Sequence, residues 1–180
     1  MKTPILSVRE ITTDDIEPLT NYWQTAGDAF LTGMGCDVCK MPTKEQSHTM
    51  LSEQIKTPIE KKQSYCTIWL ADVKAIGHSN INQIIFGESA YMHLHLWISD
   101  KRKKGMGIEL VKKSMALFFE KAKLKKIYCE PYSLNPAPNK LLEKLGFTFV
   151  KKHITTPGSI NLEQEANLWE MSLENFRVMK

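Results

Sequence analysis

The apolar residues of this chain change their spacing several times, and each change marks an element. Val8-Arg9-Glu10-Ile11 reads as a short strand. Thr12-Thr13-Asp14-Asp15 then supplies N-cap chemistry for a helix running to about Thr25. A loop with Gly27, Gly33 and Gly35 follows. Thr43-Lys44-Glu45-Gln46 fits a capping box, which opens a second helix to about Ile55, and Pro58 stops it. The centre of the chain is β. Tyr65 to Leu70 is rich in β-branched and aromatic residues, and Asp72-Val73-Lys74 turns it into a strand from Ala75 to Ile85. Phe86-Gly87-Glu88 breaks that strand, and the next runs from Ala90 to Ile98. Period-two spacing places Tyr91, His93, His95 and Trp97 on one of its faces, with Met92, Leu94, Leu96 and Ile98 on the other.

From Gly105 to Lys123 the period becomes helical. Ile108, Val111, Met115, Phe118, Phe119 and Ala122 form a stripe, with Glu109, Lys112, Lys113, Glu120 and Lys121 opposite. Lys126 to Glu130 is a strand. Asn135-Pro136 starts a short helix with Asn135 as N-cap, since a proline in the first turn loses no hydrogen bond, and Gly146 is placed to end it in a left-handed conformation. Phe147 to Ile154 and Ala166 to Leu173 read as two strands whose connection is long for a hairpin. The string β-α-α-β-β-β-α-β-α-β-β predicts an α/β chain built on an antiparallel meander.

Composition narrows the class. The 180 residues are 42% apolar and 24% charged, typical of a globular protein and enough to offset chain entropy. With no repeat or linker, a single domain over residues 1–180 is expected. No apolar run approaches the roughly 18 residues of a membrane span, and Met1 to Ser7 has no long apolar core, so a cytoplasmic protein without membrane contact is expected. Net charge is only +4. It is unevenly placed: Lys101, Arg102, Lys103, Lys104, Lys112, Lys113, Lys121, Lys123, Lys125 and Lys126 face only Glu109 and Glu120 across the same stretch. That segment invites an anionic partner. Nucleic acid is disfavoured, because there are no interleaved exposed aromatics and no recognition-helix signature. Cys36-Asp37-Val38-Cys39 is a CxxC without a second pair, and Cys66 and Cys129 lie in strand-like runs, so no metal site is expected.

The sharpest chemistry lies where a strand meets the long helix, at Ser99-Asp100-Lys101-Arg102-Lys103-Lys104-Gly105-Met106-Gly107. A helix N-terminus offers unpaired N–H groups and a positive dipole end, and glycines let the backbone approach a bulky anion. Neither GxGxxG nor GxxxxGK[ST] is present, so the device is not a common nucleotide loop. Downstream stands Leu134-Asn135-Pro136-Ala137-Pro138-Asn139-Lys140-Leu141-Leu142-Glu143-Lys144-Leu145-Gly146-Phe147. Together these stretches resemble the GNAT superfamily of acyl-CoA-dependent N-acetyltransferases, closest to its RimJ/RimL-like branch. Arg102, Gly105 and Gly107 match the pyrophosphate loop, and Asn135 with Glu143-Lys144-Leu145-Gly146-Phe147 matches the second motif. The resemblance covers about residues 62–175.

It implies a mixed, mostly antiparallel sheet flanked by helices, with acetyl-CoA, the co-substrate, between two splayed parallel strands. Trp97, Ile98 and Ser99 would pair with the pantetheine arm. Arg102, Lys103, Lys104, Gly105, Met106, Gly107 and Ile108 would hold the pyrophosphate, and Asn135, Pro138, Asn139 and Lys140 would border its other side. The implied reaction is direct attack by a primary amine on the thioester, which needs a base, an oxyanion donor and an acid. His93 and His95 stand on the strand where many relatives carry a catalytic glutamate, and histidine has a suited intrinsic pKa. Glu130, ending the next strand, is the alternative base. Relatives often place an acidic tyrosine where this chain has Leu142, leaving Tyr132 as the nearest phenol. A non-catalytic acyl-CoA-binding module is the competing reading. The acceptor amine is not legible, and a homodimer is compatible with the resemblance.

Overall fold

The computed structural model describes residues 3–97 and 105–179. Its centre is one seven-stranded sheet of order β1-β2-β3-β4-β5-β7-β6, comprising β1 (Leu6–Glu10), β2 (Ser64–Ala71), β3 (Lys74–Ile85), β4 (Ser89–Leu96), β5 (Lys126–Cys129), β6 (Thr148–Thr155) and β7 (Gln164–Ser172). Every pairing is antiparallel except β4 with β5. The helices are α1 (Ile16–Gln24), α2 (Asp28–Gly33), α3 (Lys44–Lys56), α4 (Met106–Lys121), α5 (Pro136–Lys144) and α6 (Leu173–Val178). The sequence pattern anticipates most of these. It misses α2, which lies in the expected Gly27–Gly35 loop, and α6, because six-residue helices have too few turns to show a period.

The sheet separates two apolar clusters, and β2 faces both. Tyr65, Trp69 and Ala71 join the larger cluster with Leu110, Val111, Met115 and Phe118 of α4, while Cys66 and Ile68 meet Ile11 and Leu19 on the other side. A strand buried on both faces reads as a continuous apolar run, as this one does. Completely burying Ile68 contributes about 1.5–3 kcal/mol. Ser114 is buried in α4 and satisfies two polar groups there: the Trp69 indole N–H donates to its oxygen at 2.8 Å, and the Thr67 hydroxyl at 3.2 Å. Gly77 stands where β2, β3 and β4 approach most closely. A Cβ there would lie 2.5 Å from the His95 carbonyl oxygen and 2.9 Å from the Trp69 ring.

Two helix boundaries follow sequence logic and one departs from it. The Thr43–Gln46 box closes α3 in both directions. Gly146 adopts φ +75 after α5, where a side chain would be strained. Asn135 occupies the N-cap position of α5, but its side chain makes no capping bond; its carbonyl instead accepts from Asn139 Nδ2 at 2.8 Å. Among the described residues no helix is long and apolar enough to cross a membrane.

Candidate active site

The parallel pair is short and then opens. β4 and β5 are registered at Ser89–Lys126, Ala90–Ile127 and Tyr91–Tyr128, after which β4 continues to Leu96 without that neighbour. Between the parted strands lies a cavity of about 380 Å³. Met92, His93, Leu94 and His95 of β4 form one wall; Cys129, Glu130, Pro131, Tyr132 and, from α5, Asn135, Pro138 and Leu142 form another. The cavity is completed by elements that carry no motif. Leu19 and Trp23 of α1, Met50, Leu51 and Gln54 of α3, and His78, Asn80 and Asn82 of β3 all reach it.

A cover closes the cavity from two distant segments. Cys36 bridges Asn161, Asp37 N–H donates to Ile160 O at 2.8 Å, and Leu162 N–H donates to Gly35 O at 3.0 Å. The long connection between β6 and β7 is therefore spent over the cavity. Gly35 takes φ +82, a left-handed conformation that strains any side chain, and a Cβ there would also displace the end of the Gln164 side chain.

Register brings the histidines together. His78 stands opposite His95, and Asn80 opposite His93. The rings of His78 and His95 stack with centroids 4.6 Å apart, and Trp23 meets His95 edge-on at 4.6 Å. The Trp97 indole N–H donates to His78 Nδ1 at 2.8 Å, which fixes His78 as the tautomer carrying its proton on Nε2. Burial pushes all three imidazoles down, His78 to about 3 and His93 to about 4, and the neighbouring rings push His95 down further still. At neutral pH they are uncharged hydrogen-bonding groups. His78 is one of the site residues that sequence reading missed, with Asn80, Asn82 and Gln54; the alternation His78, Asn80, Asn82 along β3 was the available signal for the first three.

Glu130 follows β5 directly, with its side chain 7% exposed, and Oε1 lies 2.8 Å from His153 Nε2 on β6. Tyr132 bridges Ala166 of β7, and its carbonyl accepts from Asn135 N–H and from Asn139 Nδ2. Asn139 is fully engaged inside the protein: its Oδ1 accepts from Asn167 Nδ2 at 2.8 Å and from the Trp169 indole at 3.0 Å. It clamps the start of α5 to β7 and does not line the cavity. Lys140 is exposed. Of the aromatics, Tyr65 and Trp69 are core, whereas Trp23 reaches the cavity.

At the cofactor side, Gly105 takes φ +71 immediately before α4, a left-handed turn that favours glycine. Met106 buries its side chain in the core, Ile108 packs against that core, and a Cβ on Gly107 would meet only the Leu141 methyls at 3.8 and 3.9 Å. The Trp97 backbone N–H is donated to Ile76 O at 2.8 Å on the β3 side, and its indole reaches His78. The expected contacts at Ile98, Ser99, Arg102, Lys103 and Lys104 lie outside the described residues. Among the described residues no three His, Cys, Asp or Glu side chains gather as a metal site, and the thiol of Cys36, beside the cover, is pushed up by burial.

Known proteins share this fold. The family profile described as an acetyltransferase (GNAT) domain matches residues 6–148, and so includes the N-terminal helices. No curated protein matches the sequence. The fold is similar to that of a spermidine N-acetyltransferase from Vibrio cholerae in complex with CoA and spermine, at 14% identity and TM-score 0.78, over 96% of this chain and 98% of that one. It is similar to a ribosomal-protein-S5-alanine acetyltransferase from Vibrio fischeri at 17% and 0.77, over 98% and 97%. An aminoglycoside acetyltransferase in complex with coenzyme A gives 16% and 0.72, over 96% and 98%. At such identities the likeness establishes the fold.

Proposed function

This chain belongs to the acetyltransferase (GNAT) family and is an acetyl-CoA-dependent N-acetyltransferase, and from that premise we propose how its own residues divide the work. The acceptor is a primary amine that attacks directly while both substrates are held. The observation that carries this reading is the parting of β4 from β5 around a cavity that has Glu130 in its wall.

When bound, acetyl-CoA supplies an activated thioester carbonyl. The leading N–H groups of α4, from Gly105 to Gly107, precede the first bond of the helix, which Ile108 N–H makes to Gly105 O at 3.3 Å, and stand at the positive end of a sixteen-residue helix, which suits a diphosphate. Asn135 and Pro138 border the cavity opposite, and Lys140 adds a cation one turn along α5. Ile98, Ser99, Arg102, Lys103 and Lys104 are assigned to the same ligand on sequence grounds.

An amine arrives mostly protonated at neutral pH. Glu130 is the only carboxylate in the cavity wall among the described residues, and we assign it to receive the proton. His153, 24% exposed and in contact with Glu130, gives that proton a way to solvent. His93 and His95, held neutral, accept hydrogen bonds from the amine and aim its lone pair. Tyr132, at the cavity edge, protonates the departing thiolate.

Gly107→Val tests the cofactor assignment. A Cβ at this position makes only ordinary contacts within the protein, so the fold should persist while the acetyl-CoA dissociation constant, measured by calorimetry, rises at least about tenfold, roughly 1.4 kcal/mol. Unchanged affinity would remove the helix terminus from the site.

A further inference from the structure

Four buried polar atoms without a hydrogen-bond partner belong to residues that line this one cavity: Gln54 Oε1, Asn82 Oδ1, His93 Nε2 and His95 Nδ1. They come from three different elements. An unsatisfied buried polar atom is costly, and several converging on one space mark where a ligand's own polar groups belong. Two are amide oxygens, which only accept, so the ligand must bring N–H or O–H donors besides its amine. Leu19, Trp23, Met50 and Leu51 add an apolar part to the same wall.

Charge narrows the class further. Among the described residues the cavity wall carries one formal charge, Glu130, and its three histidines are neutral. A single ammonium is matched there. A second or third ammonium would be buried without a counter-charge, which is strongly unfavourable. The groove beyond Tyr132 offers Glu163 and Glu165, but Glu163 is exposed to solvent outside the cavity wall, and Glu165 is held by Lys152 at 3.2 Å and by Ser133 at 2.8 Å.

We propose that the acceptor is a monocationic amine with a flat apolar body and at least one further hydrogen-bond donor, bound with the body against Trp23 and the donor on Asn82 or Gln54. This inference rests on the acetyltransferase reading and selects among its acceptors. Polyamines and aminoglycosides fall outside it.

The test uses the full chain and first confirms acetyl-CoA binding by calorimetry, since failure there would remove the enzymatic reading instead. With CoA saturating, the amines titrated are tyramine, phenethylamine, phenylalanyl-glycinamide and spermidine. Tyramine or the dipeptide amide should bind at least tenfold more tightly than spermidine, and the comparison between those two identifies the donor as a hydroxyl or a peptide N–H. Spermidine binding as well or better, or no binding by either donor-bearing amine, overturns the proposal. The paired substitutions Asn82→Leu and Gln54→Leu test the donor contact. At least one should weaken the preferred amine about fivefold while leaving phenethylamine, which lacks the donor, unchanged. An equal loss for both amines, or no loss in either variant, would reduce these side chains to structural parts.

Discussion

At the scale of single residues, the site depends on which polar groups are charged. Three imidazoles in one wall would repel an ammonium if protonated, and burial keeps them neutral. Glu130 is then the natural terminus for the proton. Glu130→Gln keeps the shape and removes the proton acceptor, so kcat should fall about 100-fold with acetyl-CoA affinity unchanged, in a steady-state assay with the calorimetric constant as control. A variant that turned over at the normal rate would pass the base role to His93 or His95. The capping box at Thr43 and the left-handed Gly146 were legible residue by residue, because both are local chemistry. The engagement of Asn139 was not, since its partners Asn167 and Trp169 lie 28 and 30 residues away.

At the scale of elements, the site depends on β4 leaving β5 while staying paired to β3. Gly77 sets how closely β3 and β4 approach beside His95. Gly77→Ala would press a methyl against the His95 carbonyl and the Trp69 ring, neither of which can move freely. Unfolding in urea should show a loss of about 1–3 kcal/mol, with acetyl transfer reduced at temperatures where the variant is still folded. A variant as stable as the parent would mean that the strands have slack there. The N-terminal helices show the reverse relation between sequence and role. Their capping and amphipathic signals predicted helices, yet nothing in those residues announced that Gln54 would finish a binding wall.

At the scale of the whole molecule, the cavity wall couples ligand binding to stability. His78, His93 and His95 have folded pKa values below the ordinary 6.5, so below that pH the unfolded chain binds protons that the folded chain refuses. The effect is absent above about pH 6.5 and grows as pH falls towards about 4, by about 1.4 kcal/mol per pH unit for each histidine that resists protonation. Asp15 adds a second loss in a lower window. Its burial pushes the carboxyl up, but hydrogen bonds from Arg9 and Thr12 overrule this and hold it below the usual range, so its contribution disappears only as the carboxylate protonates. Urea midpoints at pH 7.5, 6 and 5 should fall steadily, and less steeply in His93→Gln. A flat profile from pH 7.5 to 5 would show that the cavity hydrates these rings.

The sequence alone determined the order of the main elements, the two faces of β4 and the glycine-led start of α4, because periodicity, caps and turn residues act over a few positions. The tertiary structure alone decided that His78 meets His95, that the 156–163 connection covers the cavity with help from residues 34–37, and that Glu130 touches His153. Those outcomes depend on strand register and on contacts between distant segments, and neither leaves a trace in the spacing of neighbouring residues.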